Sequence, residues 1–103
     1  MSKTPKSPET CQTMSEVRTG VDSVDRDLIT LLGTRFGYME AAARIKQDRD
    51  TVRDEKRKAA VIENAKKTAW AAGVPIGFID EFWDKLVETS IAYELEKWDA
   101  LRK

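Results

Sequence analysis

Arg35 and Lys46 stand eleven residues apart in a stretch that otherwise repeats apolar residues at helical spacing. On a wheel of about 100° per residue, Val21, Val24, Leu28, Met39 and Ala42 fall in one narrow arc, and both cations fall inside it. Eleven residues are three helical turns, so the two lie roughly 16 Å apart along the same side. Two long side chains leaning toward each other could hold a small molecule between them. Toward the end of the chain, Ser90 and Glu94, one turn apart, sit in the middle of a second apolar arc defined by Ile79, Trp83, Leu86, Val87 and Leu101. An unpaired carboxylate on a core face is costly, and inward-facing polar groups on facing helices are how bundles build ligand sites. The arcs hold two cations and one carboxylate, so an anion is missing, and a bound anionic ligand would supply it. The competing reading is structural. Arg35 and Glu94 would form a buried salt bridge that fixes register, and Lys46, at a helix end, would snorkel into water.

Composition narrows the chemistry further. The 103 residues include no histidine, which removes Ser/His, Cys/His and His-ligated metal mechanisms. The single cysteine, Cys11, cannot form an internal disulfide, which fits a reducing compartment. Lys+Arg and Asp+Glu are both 18, so there is no basic excess of the kind nucleic-acid binders carry. The longest apolar stretch, 69–79, is broken by Gly73, Pro75 and Gly77 and is too short to span a bilayer. The first residues are polar, with no apolar signal segment. The expectation is a cytoplasmic protein that needs no metal or cofactor and binds neither nucleic acid nor membrane.

Three helices would have to position these groups, and no segment shows strand alternation, so the expected fold class is all-α. Residues 1–12 hold two of the three prolines and no periodicity, and read as a flexible N-terminal tail. The helical domain then covers 13–103. Thr13 and Glu16 have capping-box spacing, and apolar residues recur at Val17, Val21, Val24, Leu28, Leu31 or Leu32, Met39 and Ala42, predicting one helix of about 33 residues, roughly 50 Å long. The polar run 47–53 reads as a loop. Asp54 is a plausible N-cap for a second helix ended by Gly73 and Pro75, with Val61, Ile62, Ala65, Ala69 and Trp70 as its apolar positions. The run 53–58 (RDEKRK) reads as a solvated helix start. A third helix starts near Gly77 and reaches about Leu101. Trp70, Trp83 and Trp98 read as core or interface. A compact domain of this size has a radius of gyration of ~13 Å, which a helix of roughly 50 Å overshoots. A second copy packed alongside would cover the surplus stripe, so a homodimer is expected.

The chain resembles the all-α chorismate mutases and their relatives the isochorismate-pyruvate lyases. The segments that carry the resemblance are VRTGVDSVDRDLITLLGTRFGYMEAAARIK (17–46), TVRDEKRKAAVIENA (51–65) and FIDEFWDKLVETSIAYELEKW (78–98). They contain an early Arg, then D-x-x-D, then L-L-x-x-R, then a Lys eleven residues after that Arg. The resemblance implies an intertwined homodimer with two active sites, acting on a dicarboxylate with an enol-ether bridge, chorismate or isochorismate. Arg35 would hold the enolpyruvyl carboxylate, and Lys46 would contact the ether oxygen and a carboxylate. Glu94 would be the second ether-oxygen contact and Ser90 would line the ring pocket. Arg18 would reach the other carboxylate from the partner chain. Its distance from Lys46, 28 residues or roughly 42 Å on one helix, independently requires another protomer if both serve one site. Bacterial relatives usually carry Gln where Glu94 stands, and fungal ones Glu. Many bacterial mutases bind the ring hydroxyl with a Glu on the second helix, four residues after an Asp; Asp54 matches that Asp, and Lys58 replaces the Glu. The segment SPETC before the long helix looks more like the lyase branch. The activity implied first is the rearrangement of chorismate to prephenate, with the lyase reaction as the alternative and a non-enzymatic dimerisation module as a third reading. The rearrangement is intramolecular. It needs a selected substrate conformer and stabilised charge on the ether oxygen, not a nucleophile or a proton shuttle.

Overall fold

The computed structural model describes residues 5–103. Residues 1–4 of the expected tail lie outside the described residues. Among those described, the chain forms three α-helices and no strand: α1 (Met14–Ile45), α2 (Glu55–Ala72) and α3 (Ile76–Leu101). None is long and apolar enough to cross a membrane. The chain divides into two compact units, one ending at Arg35 and the other Phe36–Lys103, with the boundary inside α1.

In the first unit, α1 begins as its sequence dictates. The Thr13 hydroxyl accepts the Glu16 N–H at 3.1 Å, and the Glu16 carboxylate accepts the Thr13 N–H at 3.1 Å, completing a capping box. The same carboxylate accepts the Gln12 N–H at 2.9 Å and pairs with Lys6. These partners, Lys6 foremost, hold the Glu16 carboxyl down at about 2. A short 3-10 turn at Pro8–Thr10 precedes the helix. Pro5, Pro8 and Cys11 lie over Val17, Val21 and Val24, around an open hollow of about 380 Å³. The apolar stripe is nonetheless largely open in the single chain: Val21, Val24, Leu28 and Leu31 are 50–65% exposed.

The second unit holds the core. Val52, Val87 and Ile91 are buried together, with Val61, Ile62, Trp83, Leu95 and Trp98 packed around them. The 47–53 segment is therefore more than a polar loop. A 3-10 turn at Arg49–Thr51, capped by the Asp48 side chain, delivers Val52 into the core at 4% exposure. Asp54 caps α2 as expected, its Oδ1 accepting the Arg57 N–H at 3.0 Å. Gly73 ends α2 in the left-handed conformation (φ 73°), where its lack of a Cβ removes the steric cost. Trp70 is not core in this chain: 79% exposed, it leaves only Ala69 of its helix fully buried. Leu101, counted in the apolar arc of the third helix, is likewise 58% exposed, because the arc runs past the end of the packed region.

Candidate active site

Lys46 follows the last residue of α1, and its N–H still bonds to the Ala42 carbonyl at 2.9 Å. Glu94 lies midway along α3 and is 4% exposed. The two meet: Lys46 Nζ is 2.9 Å from Glu94 Oε2. The contact is an ion pair rather than an aligned hydrogen bond, since that oxygen is shut off from solvent and accepts no hydrogen bond of good geometry. Lys46 Nζ also lies 3.5 Å from the Val52 carbonyl. Its side chain keeps 31% exposure against 5% for that of Glu94. The pair thus presents a half-accessible ammonium beside a buried carboxylate with unused acceptor capacity, on a face otherwise made of Leu86, Val87 and Ile91. Such an arrangement can offer a polar ligand a charged group that solvent still reaches, while the desolvation of the carboxylate has already been met in folding.

Ser90, one turn before Glu94, is 3% exposed and donates from Oγ to the Leu86 carbonyl at 2.7 Å within α3. It shares the buried face with Glu94. Asp54, whose Oδ1 caps α2, is exposed. Arg18 and Arg35 belong to the first unit, on α1. Arg18 is exposed, and Arg35 is half-buried and engaged in polar contact.

The run 53–58 departs from the expectation of a solvated helix start. Arg53 grips Glu88 of α3 through two nitrogens at 3.0 and 2.8 Å, and Lys58 lies 2.8 Å from Glu88 and 2.9 Å from Asp84. Asp84 and Glu88 are one turn apart on α3, so one face offers two carboxylates to the cations of α2. That i, i+4 acidic pair is the signal the sequence contained. Arg53 first, and then Lys58, hold the Glu88 carboxyl down at about 2. Glu88 and Asp84 in turn raise the Lys58 ammonium above its ordinary value. Lys58 is thereby committed to joining α2 to α3.

Two further residues escaped the sequence reading, Trp98 as a hydrogen-bond donor and Arg102. Trp98 Nε1 donates to the Lys46 carbonyl at 3.0 Å, and Arg102 donates to the carbonyls of Ala43 and Lys46 at 3.0 and 2.6 Å. Both act on the backbone that carries the site lysine.

An all-helical domain with a lysine paired to a buried carboxylate on its core face is the class that fold and site define. Residues 17–95 match the family model of chorismate mutase type II, and the chain belongs to that family. It is also similar to the isochorismate pyruvate lyase of Pseudomonas aeruginosa, 27% identical over 97 residues that cover 94% of this chain and 96% of that one.

Proposed function

We propose that the protein is a chorismate mutase that rearranges chorismate to prephenate. The observation that carries this reading is the Lys46–Glu94 pair, 2.9 Å apart, which sets a part-exposed ammonium beside a carboxylate buried on α3. In the rearrangement, negative charge builds on the ether oxygen as its bond to the ring carbon breaks, and preorganised charge near that oxygen lowers the barrier. Lys46 supplies the positive charge, and Glu94, paired with it, is the second residue at the ether oxygen. Arg35 takes the enolpyruvyl carboxylate, a role that suits a planar fork of donors. Ser90 lines the ring pocket and Asp54 belongs to the ring-hydroxyl side. Arg18 comes from the other protomer of a homodimer. The bare stripe of Val21, Val24, Leu28 and Leu31 supports that dimer, since monomers seldom leave contiguous apolar surface open.

A second reading, isochorismate-pyruvate lyase, is favoured by the Pseudomonas aeruginosa relative, which matches this chain over nearly the full length of both. Purified protein given chorismate and, separately, isochorismate decides between them. Prephenate formation from chorismate, falling by about 10²–10³ in Arg35→Ala, is expected. Salicylate and pyruvate from isochorismate as the dominant products would instead establish the lyase. Turnover of neither would leave a helical dimerisation module.

A further inference from the structure

The last turn of a helix leaves carbonyl groups with no donor of its own. At the end of α1, two of them are met from α3. Arg102 donates from one terminal nitrogen to the Ala43 carbonyl at 3.0 Å and from the other to the Lys46 carbonyl at 2.6 Å. Trp98 Nε1 donates to the same Lys46 carbonyl at 3.0 Å. The guanidinium lies 4.1 Å from the centre of the Trp98 ring and also donates to the Trp98 carbonyl at 3.3 Å. Its plane is therefore fixed by stacking while its nitrogens reach two carbonyls, a geometry an ammonium cannot copy. A cation at this helix end also opposes the negative pole of the helix dipole.

Lys46 is thus held at both ends by α3. Its carbonyl is bound by Trp98 and Arg102, and its ammonium lies 2.9 Å from Glu94. Four rotatable bonds separate the two ends, and with both ends anchored a shift of the backbone has to be absorbed by those torsions or passed on to Nζ. A displacement of about 1 Å at a reacting group is enough to cost on the order of a hundredfold in rate.

We propose that Arg102, seated on Trp98, is a positioning residue that fixes the last turn of α1 and so aims Lys46. The proposal rests on the reading of Lys46 as the ether-oxygen contact. Arg102 reaches the chemistry only through Lys46, so its removal matters only while Lys46 is present. The neighbouring Arg49–Asp99 pair, bonded at 2.8 and 3.1 Å between half-exposed side chains, joins α3 to the 3-10 turn after α1 without touching the Lys46 carbonyl.

The test is a double-mutant cycle of Arg102→Ala and Lys46→Ala, read in kcat/KM for chorismate and in the dissociation constant of prephenate, with Asp99→Asn as control. Arg102→Ala is expected to lower kcat by about tenfold, with a smaller change in KM. It should cost nothing further in Lys46→Ala, and Arg102→Lys should recover part of the loss. Asp99→Asn should match the parent. Should Arg102→Ala fail to fold, by helicity and melting, Trp98→Phe keeps the packing, removes one bond to the Lys46 carbonyl and takes its place in the cycle. Equal losses with and without Lys46, or no loss at all, would overturn the proposal. Full activity in Lys46→Ala would instead remove the reading of the site on which it rests.

Discussion

The two units of the chain bury their apolar residues to very different degrees. In the second, Val87 and Ile91 of α3 are 7–8% exposed and close a core with Val52. In the first, Val21, Val24, Leu28 and Leu31 are 50–65% exposed, although their helical spacing is at least as regular. The same periodic signal therefore has two outcomes. In α3 the facing surface comes from the same unit; the stripe of α1 before Arg35 is left open in the single chain. Amphipathicity states that a face will be covered and is silent about what covers it.

The sharpest way to break this contrast is complementation. Arg18→Ala and Arg35→Ala should each be inactive. If Arg18 serves the partner's site while Arg35 serves its own, chains allowed to exchange after equal mixing should regain about a quarter of parental activity by random pairing. No recovery after proven exchange would confine both arginines to one protomer's site. A smaller effect separates the two apolar faces. Ile91→Ala should lower stability by about 2–5 kcal/mol through an unfilled cavity, read by denaturant unfolding, with the mass in sedimentation unchanged. Leu28→Glu should halve that mass and make helicity fall on dilution. An unchanged mass for Leu28→Glu would mean that the bare stripe is not the seam between copies.

The smallest expected effect is in acid. Glu88 in the second unit and Glu16 in the first are both held at about 2 by their cationic partners. Their folded values lie below the unfolded ones, so their contribution is present above about pH 4.5 and is lost as pH falls toward about 2. Because both pairs face solvent, the loss should be modest and weaken with salt. The melting gap between parent and Glu88→Gln should close over that window. A gap that persists at about pH 2 would mean that the Arg53–Glu88–Lys58 cluster acts through packing.

Local features were legible in the sequence because their partners lie within one turn. Thr13 with Glu16, Asp54 with Arg57, and Gly73 each sit where spacing and residue type placed them. Lys46 and Glu94 were legible as intrusions into apolar arcs, since burial of a charge demands a reason. The pairing of Glu94 with Lys46 was not, because periodicity assigns residues to faces and does not set the register between helices. Val52 was hidden in a polar run, and Arg53 and Lys58 read as solvated because their partners lie 35 and 30 residues away. Arg102 was invisible for the same reason, its contact with Ala43 spanning 59 residues.

That span gives the turn at Gly73 a kinetic meaning. Three residues separate Ala72 from Ile76, and Val74 already bonds back to the Ala69 carbonyl at 2.9 Å. Pairings across this turn close short loops, which form early because little chain entropy is lost. The α2–α3 hairpin can therefore assemble first, clamped by Arg53, Lys58, Asp84 and Glu88. The end of α1 must search a longer loop before Trp98 and Arg102 can take its carbonyls. Lys46 then reaches its place on a scaffold already formed, and a slower turn at position 73 would delay the maturation of activity more than the appearance of helix.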